Sequence, residues 1–274
     1  MSDSDSDDDG FPEVPLEPIH RAAIDGDLAA LRRELEAGVS PDCHSLRGSP
    51  LQILCSGQVR SSLDDDIRLQ GVQLLLAAGA SPDRVAGWET EHSALCNAAY
   101  NGHPAIVKVL IAAGADATRA DADGWTPLHS AASWDHTDPG TGRKTRSASC
   151  AVALLEAGAA VDAQHRDDLG QVYTPLLWNL SSFGQATSYV LPVLLRAGAT
   201  VDMALAEEYS NEWLGGAAGY RYLAKVHAAG GWKRYAQAHS ARLAPIFAKA
   251  FPHARLPPEL VSHIVGLWAH VGYY

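Results

Sequence analysis

An all-α solenoid of helix–turn–helix repeats, with short hairpin connections and a helical C-terminal cap, is the fold class this sequence predicts. Three observations predict it. An Ala-Gly pair followed by Asp recurs along the chain, and each pair closes an apolar run at helical spacing. Before each run lies a shorter helical stretch with a turn at its head.

The phrase stands at Ala37-Gly38 with Asp42, Ala78-Gly79 with Asp83, Ala157-Gly158 with Asp162 and Ala197-Gly198 with Asp202. A tighter form is Ala113-Gly114-Ala115-Asp116. The runs they close are Leu28–Leu35, Val72–Leu76, Val152–Leu155, Val190–Leu195 and Ile106–Ile111. Glycine just past the last periodic residue is the signal of a left-handed helix cap. In the shorter stretches Thr or Ser caps the helix, Pro occupies its first turn and Leu begins the buried face. Their heads are Pro18-Ile19-His20-Arg21-Ala22-Ala23, Ser49-Pro50-Leu51, Ser93-Ala94-Leu95 and Thr174-Pro175-Leu176. The fullest is Gly124-Trp125-Thr126-Pro127-Leu128-His129-Ser130-Ala131-Ala132. There the Ala pair admits a neighbouring helix, and His129, like His20, is expected to tie backbone groups across the turn.

That last stretch resembles the Gly-x-Thr-Pro-Leu-His-x-Ala-Ala signature of the ankyrin family, and the resemblance covers residues 15–205. Pro18 to Gly38 and Ala94 to Gly114 each span 20 residues, the family's length, whereas Pro50 to Gly79, Pro127 to Gly158 and Pro175 to Gly198 span 29, 31 and 23. In the two longest, the excess is placed at Gly57–Asp65 and Asp135–Arg146, read as polar loops between the two helices of a repeat. The expected organisation is a disordered acidic tail over 1–14, repeats over 15–230 (five recognisable and a degenerate sixth), and capping helices over 231–274.

Composition narrows the function classes. The 274 residues are 47% hydrophobic and 19% charged, with a formal net charge of −11. The first ten residues hold five Asp and no base, while residues 214–274 hold seven bases against the single acid Glu259. An acidic body disfavours nucleic acid as a partner. No uncharged apolar run of about 18 residues is present, so no membrane span is expected. Without a basic, apolar secretory start, and with Cys43, Cys55, Cys96 and Cys150 scattered, the expected state is reduced thiols in a cytoplasmic or nuclear monomer.

Gly231–Lys249 carries Trp232, Tyr235, Leu243, Ile246 and Phe247 at helical spacing, which suits a helix sealing the last repeat. Leu256-Pro257-Pro258-Glu259-Leu260, then Ile264, Leu267 and Trp268, resembles the opening of an F-box. Only 19 residues remain from Leu256, fewer than an F-box needs. Two readings stand: this helix folds back as part of the cap, or it docks ubiquitin-ligase components, since ankyrin arrays with such an end serve as substrate adaptors.

No enzyme, cofactor or metal site is expected. The chain holds no HExxH, no Cys/His cluster at zinc spacing and no Gly-x-Ser-x-Gly elbow. Gly140-Thr141-Gly142-Arg143-Lys144-Thr145 departs from a phosphate loop because Arg interrupts the Gly-Lys-Thr order. A catalytic site in the 135–146 insertion is the remaining enzymatic alternative. The resemblance implies a protein-binding scaffold that recognises a partner protein through a concave groove and hairpin tips. Candidate partner-binding residues on those tips and inner-helix ends are Trp88, Tyr100, Asp121, Asp123, Trp125, Trp134, Arg166 and Tyr173, with Arg143 and Lys144 as a basic patch in the insertion. Trp134 ranks first because it directly precedes the longest insertion.

Overall fold

Short helices that end in a forced reversal cannot bury both faces alone, so consecutive pairs must stack. The computed structural model describes residues 17–45, 47–56, 64–85, 92–133, 143–181, 190–205, 207, 216–239 and 241, with the side chains of 143–147 and 216–219 outside the described set. The chain divides into two compact units, Met1–Glu91 and His92–Tyr274.

The first unit holds α1 (Pro18–Asp25), α2 (Leu28–Glu36), α3 (Pro50–Cys55) and α4 (Asp65–Ala77). The shorter inner helices α1 and α3 pack on one another, as do the outer helices α2 and α4. Ile19, Leu31, Leu51, Ile53, Leu54, Val72 and Leu75 fill the space between them. Ser49 and Gln52 form a reciprocal capping box at the start of α3. Gly71 on α4 lies where a Cβ would come within 2.8 Å of Leu54, so its lack of a side chain sets how closely α4 approaches α3. Arg68, buried on α4, donates from Nη1 to the carbonyls of Leu54 (3.3 Å) and Ser56 (3.1 Å) and so satisfies the end of α3.

The second unit repeats the plan with α5 (Ala94–Tyr100), α6 (Pro104–Ala112), α7 (Pro127–Ser133), α8 (Arg143–Glu156), α9 (Pro175–Ser181) and α10 (Val190–Arg196). Inner helices α5, α7 and α9 stack in sequence order; outer helices α6, α8 and α10 do the same behind them. The Ala pairs Ala98-Ala99 and Ala131-Ala132 are fully or almost fully buried, which is how α5 and α7 come close. A two-stranded antiparallel hairpin, β1 (His165–Arg166) with β2 (Val172–Tyr173), projects between the fourth and fifth repeats. A further helix, α11 (Gly216–Ala228), packs on α9 and buries Leu223 and Val226. A helical turn over 232–239 follows, with Tyr222, Trp232, Tyr235 and His239 in ring contact.

All five repeat glycines have positive φ, from 86° at Gly38 to 95° at Gly198. Each belongs to the same double-bonded reversal. At Gly114 the glycine N–H donates to Ile111 O (3.0 Å) and the next N–H, of Ala115, donates to Leu110 O (3.0 Å). The Asp of the phrase has a job that its spacing does not reveal. Asp42 Oδ1 accepts the backbone N–H of Ser81 (3.0 Å), and Asp162 Oδ1 that of Thr200 (3.0 Å), each one repeat further on. Asp116, two residues nearer its glycine, binds Thr118 instead, and those two hydrogen bonds hold its carboxyl below the usual range.

One expectation needs correction. The loop placed over 135–146 ends earlier, because α8 already begins at Arg143. Arg, Lys, Ser and Ala over 143–149 are compatible with a helix, and packing of α8 on α6 and α7 extends it beyond the apolar stretch that marked it. The remainder of that insertion (135–142), most of the first one (57–63), the acidic tail and the Leu256 segment lie outside the described residues.

Candidate protein-interaction surface

The second unit carries two hairpin loops built on one chemical plan, Asp121-Ala122-Asp123-Gly124-Trp125 and Asp167-Asp168-Leu169-Gly170-Gln171. In the first, Asp121 Oδ1 accepts from Asp123 N (3.1 Å) and Trp125 N (2.7 Å), while Gly124 takes φ 85°. In the second, Asp167 Oδ1 accepts from Leu169 N (3.0 Å) and Gln171 N (2.7 Å), and Gly170 takes φ 80°. The carboxylate stands in for a missing backbone acceptor, which makes each tip rigid despite its exposure.

The tips are also joined. Asp123 O accepts from Arg166 N (2.8 Å) and from His165 Nδ1 (3.0 Å). Gly124 lies so close to the second hairpin that a Cβ there would meet the Gln164 carbonyl oxygen. Positive φ and lack of space therefore both demand glycine at this position.

Under the tips sits an aromatic cluster centred on Trp125. Its ring makes edge-on contacts with His165 and Trp178 (centroids 4.8 Å for both), lies 5.4 Å from His129 and 6.2 Å from His92, and its Nε1 donates to Ser130 Oγ (2.8 Å). Tyr173 packs edge-on against Trp178 at 5.2 Å. Edge-to-face pairs of this kind contribute roughly 0.5–1.5 kcal/mol each beyond their buried area.

His129 ties this cluster to the backbone. Thr126 N donates to His129 Nδ1 (3.3 Å), so that nitrogen is an acceptor; Nε2 then carries the proton and donates to Tyr173 O (3.2 Å) in the next repeat. The histidine was expected to bridge its own turn; it also bridges to the following hairpin. Burial holds it neutral, pushing its pKa down from 6.5 to about 4.

The sequence-predicted residues divide by environment. Asp123 is exposed, as is Arg166, whose Nη1 donates to Gly170 O (2.8 Å) within its own hairpin. Tyr100 is 38% exposed at the end of α5. Trp125 is half-buried, and Asp121 is committed to its loop, with Oδ2 3.6 Å from His92 Nδ1. Tyr173 is buried, with its hydroxyl donating to Gln171 Oε1 (3.3 Å). Trp88 and Trp134 lie outside the described residues, as do the side chains of Arg143 and Lys144. Two residues escaped the sequence reading. Trp178 replaces Ser130 at the equivalent inner-helix position, a small-to-aromatic exchange that column-by-column comparison of the repeats exposes. Leu169, 85% exposed at the second tip, has no periodicity to betray it.

Comparison with known proteins agrees with this geometry. Residues 62–165 match the family model described as ankyrin repeats (3 copies). Ankyrin repeats are therefore present within this stretch of the chain. A 77-residue stretch is 43% identical to the RelA-associated inhibitor of Mus musculus, covering 28% of this chain and 8% of that protein. The shared part is thus a small fraction of the relative. The ankyrin repeats mark the chain as a protein–protein interaction module. Among the described residues no helix is long and apolar enough to cross a membrane.

Two predictions follow from the packing. Gly114→Ala meets open space and costs about 1 kcal/mol for the left-handed backbone alone, whereas Gly124→Ala adds a backbone collision and costs roughly 2–4 kcal/mol in urea unfolding. Because His129 has a folded pKa below its unfolded value, the stability it permits is complete above pH 6.5 and falls as pH drops toward 4. Unfolding at pH 5 should show about 2 kcal/mol less stability than at pH 7 from this residue, a difference that His129→Gln removes.

Proposed function

We propose that this ankyrin-repeat chain recognises a partner protein through the two linked hairpin tips of the second unit and the inner-helix face beneath them. The observation that carries the reading is Leu169. A large apolar side chain is held 85% exposed on a backbone fixed by the Asp167 carboxylate, so its exposure is built in. Around it stand Asp123, Asp168 and Arg166, exposed, with the half-buried edges of His165 and Trp178 inward of them. An apolar centre within a polar rim is the arrangement of an interaction hot spot. The surrounding acids, in a chain of net charge −11, favour a partner segment that offers an apolar side chain flanked by basic ones. Rigid tips lower the entropy lost on binding.

The relative's printed name describes it as an inhibitor associated with RelA. We infer from it a regulatory, non-enzymatic binding role in cytoplasm or nucleus, with the partner defined by the chemistry of the tips. A second reading rests on the Leu256-Pro257-Pro258-Glu259-Leu260 segment: the chain serves as a ubiquitin-ligase substrate adaptor, with this segment docking the ligase.

Affinity purification with quantitative mass spectrometry tests the first reading. Leu169→Asp should reduce recovery of specific partners about tenfold or more, with melting temperature unchanged. Val152→Asp, at a 39% exposed position on outer helix α8, should leave recovery intact. Equal recovery with both variants would dismiss the hairpin tips. Deleting residues 256–274 should abolish recovery of ligase components if the adaptor reading holds; unchanged recovery removes it.

A further inference from the structure

Each inner helix of the five repeats begins after a residue in the same position: Glu17, Ser49, Ser93, Thr126 and Thr174. The four hydroxyls accept a hydrogen bond from the backbone N–H three residues on, that of Gln52, Cys96, His129 and Leu177. Glu17 makes no such cap, and its carboxylate is exposed. The departure continues one turn later. His20 occupies the position of His129 and is fully buried, but its Nδ1 has no hydrogen-bond partner. In the fourth repeat the bond to Nδ1 locks the proton on Nε2. His20 lacks that bond at Nδ1, and the hydrogen bond its ring makes with the Cys43 backbone must give way for Nε2 to present a lone pair.

What Nε2 faces is a thiol. Cys43 Sγ, half-buried in the connection after α2, lies 4.0 Å from it. A ligand atom from each of Glu17, His20 and Cys43 falls within 4.8 Å of the others. Among the described residues this is the group with metal-ligating geometry. Tetrahedral zinc, with Zn–S about 2.3 Å and Zn–N about 2.0–2.1 Å, places sulfur and nitrogen about 3.5 Å apart. Closing from 4.0 Å needs a side-chain shift of about half an ångström.

We propose that Glu17, His20 and Cys43 form a binding site for a borderline-soft divalent cation of the zinc type in the first repeat. One thiolate, one imidazole and one carboxylate are a ligand set that favours zinc over the hard cations magnesium and calcium, which take oxygen ligands. Three protein ligands leave the fourth position to water, reached from the exposed Glu17 side. Coordination breaks the S–H bond and releases its proton to solvent, with no change of oxidation state. A redox or nucleophilic role for Cys43 is disfavoured, since burial and the Glu17 carboxylate push its thiol up to about 11. The sequence concealed the set because its members are 3 and 23 residues apart, without zinc-motif spacing.

Titration of the full-length, chelator-treated chain with Co²⁺, a spectroscopic stand-in for zinc, tests the site. One equivalent should produce a thiolate-to-cobalt charge-transfer band, lost in Cys43→Ser and shifted to at least about tenfold higher Co²⁺ in Glu17→Gln. No band in the wild type, or a band kept in Cys43→Ser, overturns the proposal. Should Cys43→Ser fail to fold, the wild type alone decides: one equivalent of Zn²⁺ must slow alkylation of Cys43, mapped by mass spectrometry. Unchanged labelling overturns it.

Discussion

Every outer helix that carries the repeat is stopped by a glycine at positive φ, whose N–H and the next residue's N–H turn back onto the helix's last carbonyls. This reversal is the constraint on which the rest depends. It satisfies carbonyls that would otherwise be stranded and sends the chain across to start the next pair in a fixed direction. Because each pair is only two short helices, its apolar face needs cover from a neighbour, and within each unit the uniform reversal brings that neighbour into register. Asp42 and Asp162 then pin the following repeat by a backbone N–H, so each connection is held from both ends.

With the frame repeated, departures from it acquire meaning. The fourth and fifth repeats depart through aromatic substitution: Trp125, His165 and Trp178 gather beneath two rigid tips, and Leu169 is left outside. The first repeat departs through charge and sulfur: Glu17 replaces a hydroxyl cap, and Cys43 stands where a buried histidine can meet it. Both places keep the helices and change only what the loops and inner-helix starts present. That division is what a repeat scaffold permits, since stacking energy resides in Leu, Ile, Val and Ala positions that these changes do not touch.

Much of this was legible beforehand. The five glycines, the hydroxyl caps at Ser49, Ser93, Thr126 and Thr174, and the buried Ala pairs are local signals, each set by the conformation of one or two residues. Roles of polar side chains were harder to read. Asp121 and Tyr173 were both read as partner-binding residues of hairpin tips; Asp121 accepts hydrogen bonds within its loop, and Tyr173 is buried against Trp178. The Asp121 bonds, two and four residues away, follow turn conformation rather than periodicity, and the burial of Tyr173 depends partly on His129, 44 residues away, which no periodicity window includes.

The sequence by itself determined the helical repeat, its termini and its turns, because glycine's freedom at positive φ, hydroxyl capping and 3.6-residue periodicity act over a few bonds. Only the tertiary structure decided which side chains meet across repeats. The Trp125 cluster, the Asp-to-next-repeat bonds and the Glu17, His20 and Cys43 group are all products of stacking. Stacking brings together residues that the chain itself keeps apart, and those juxtapositions, rather than the repeat phrase, carry what is particular to this protein.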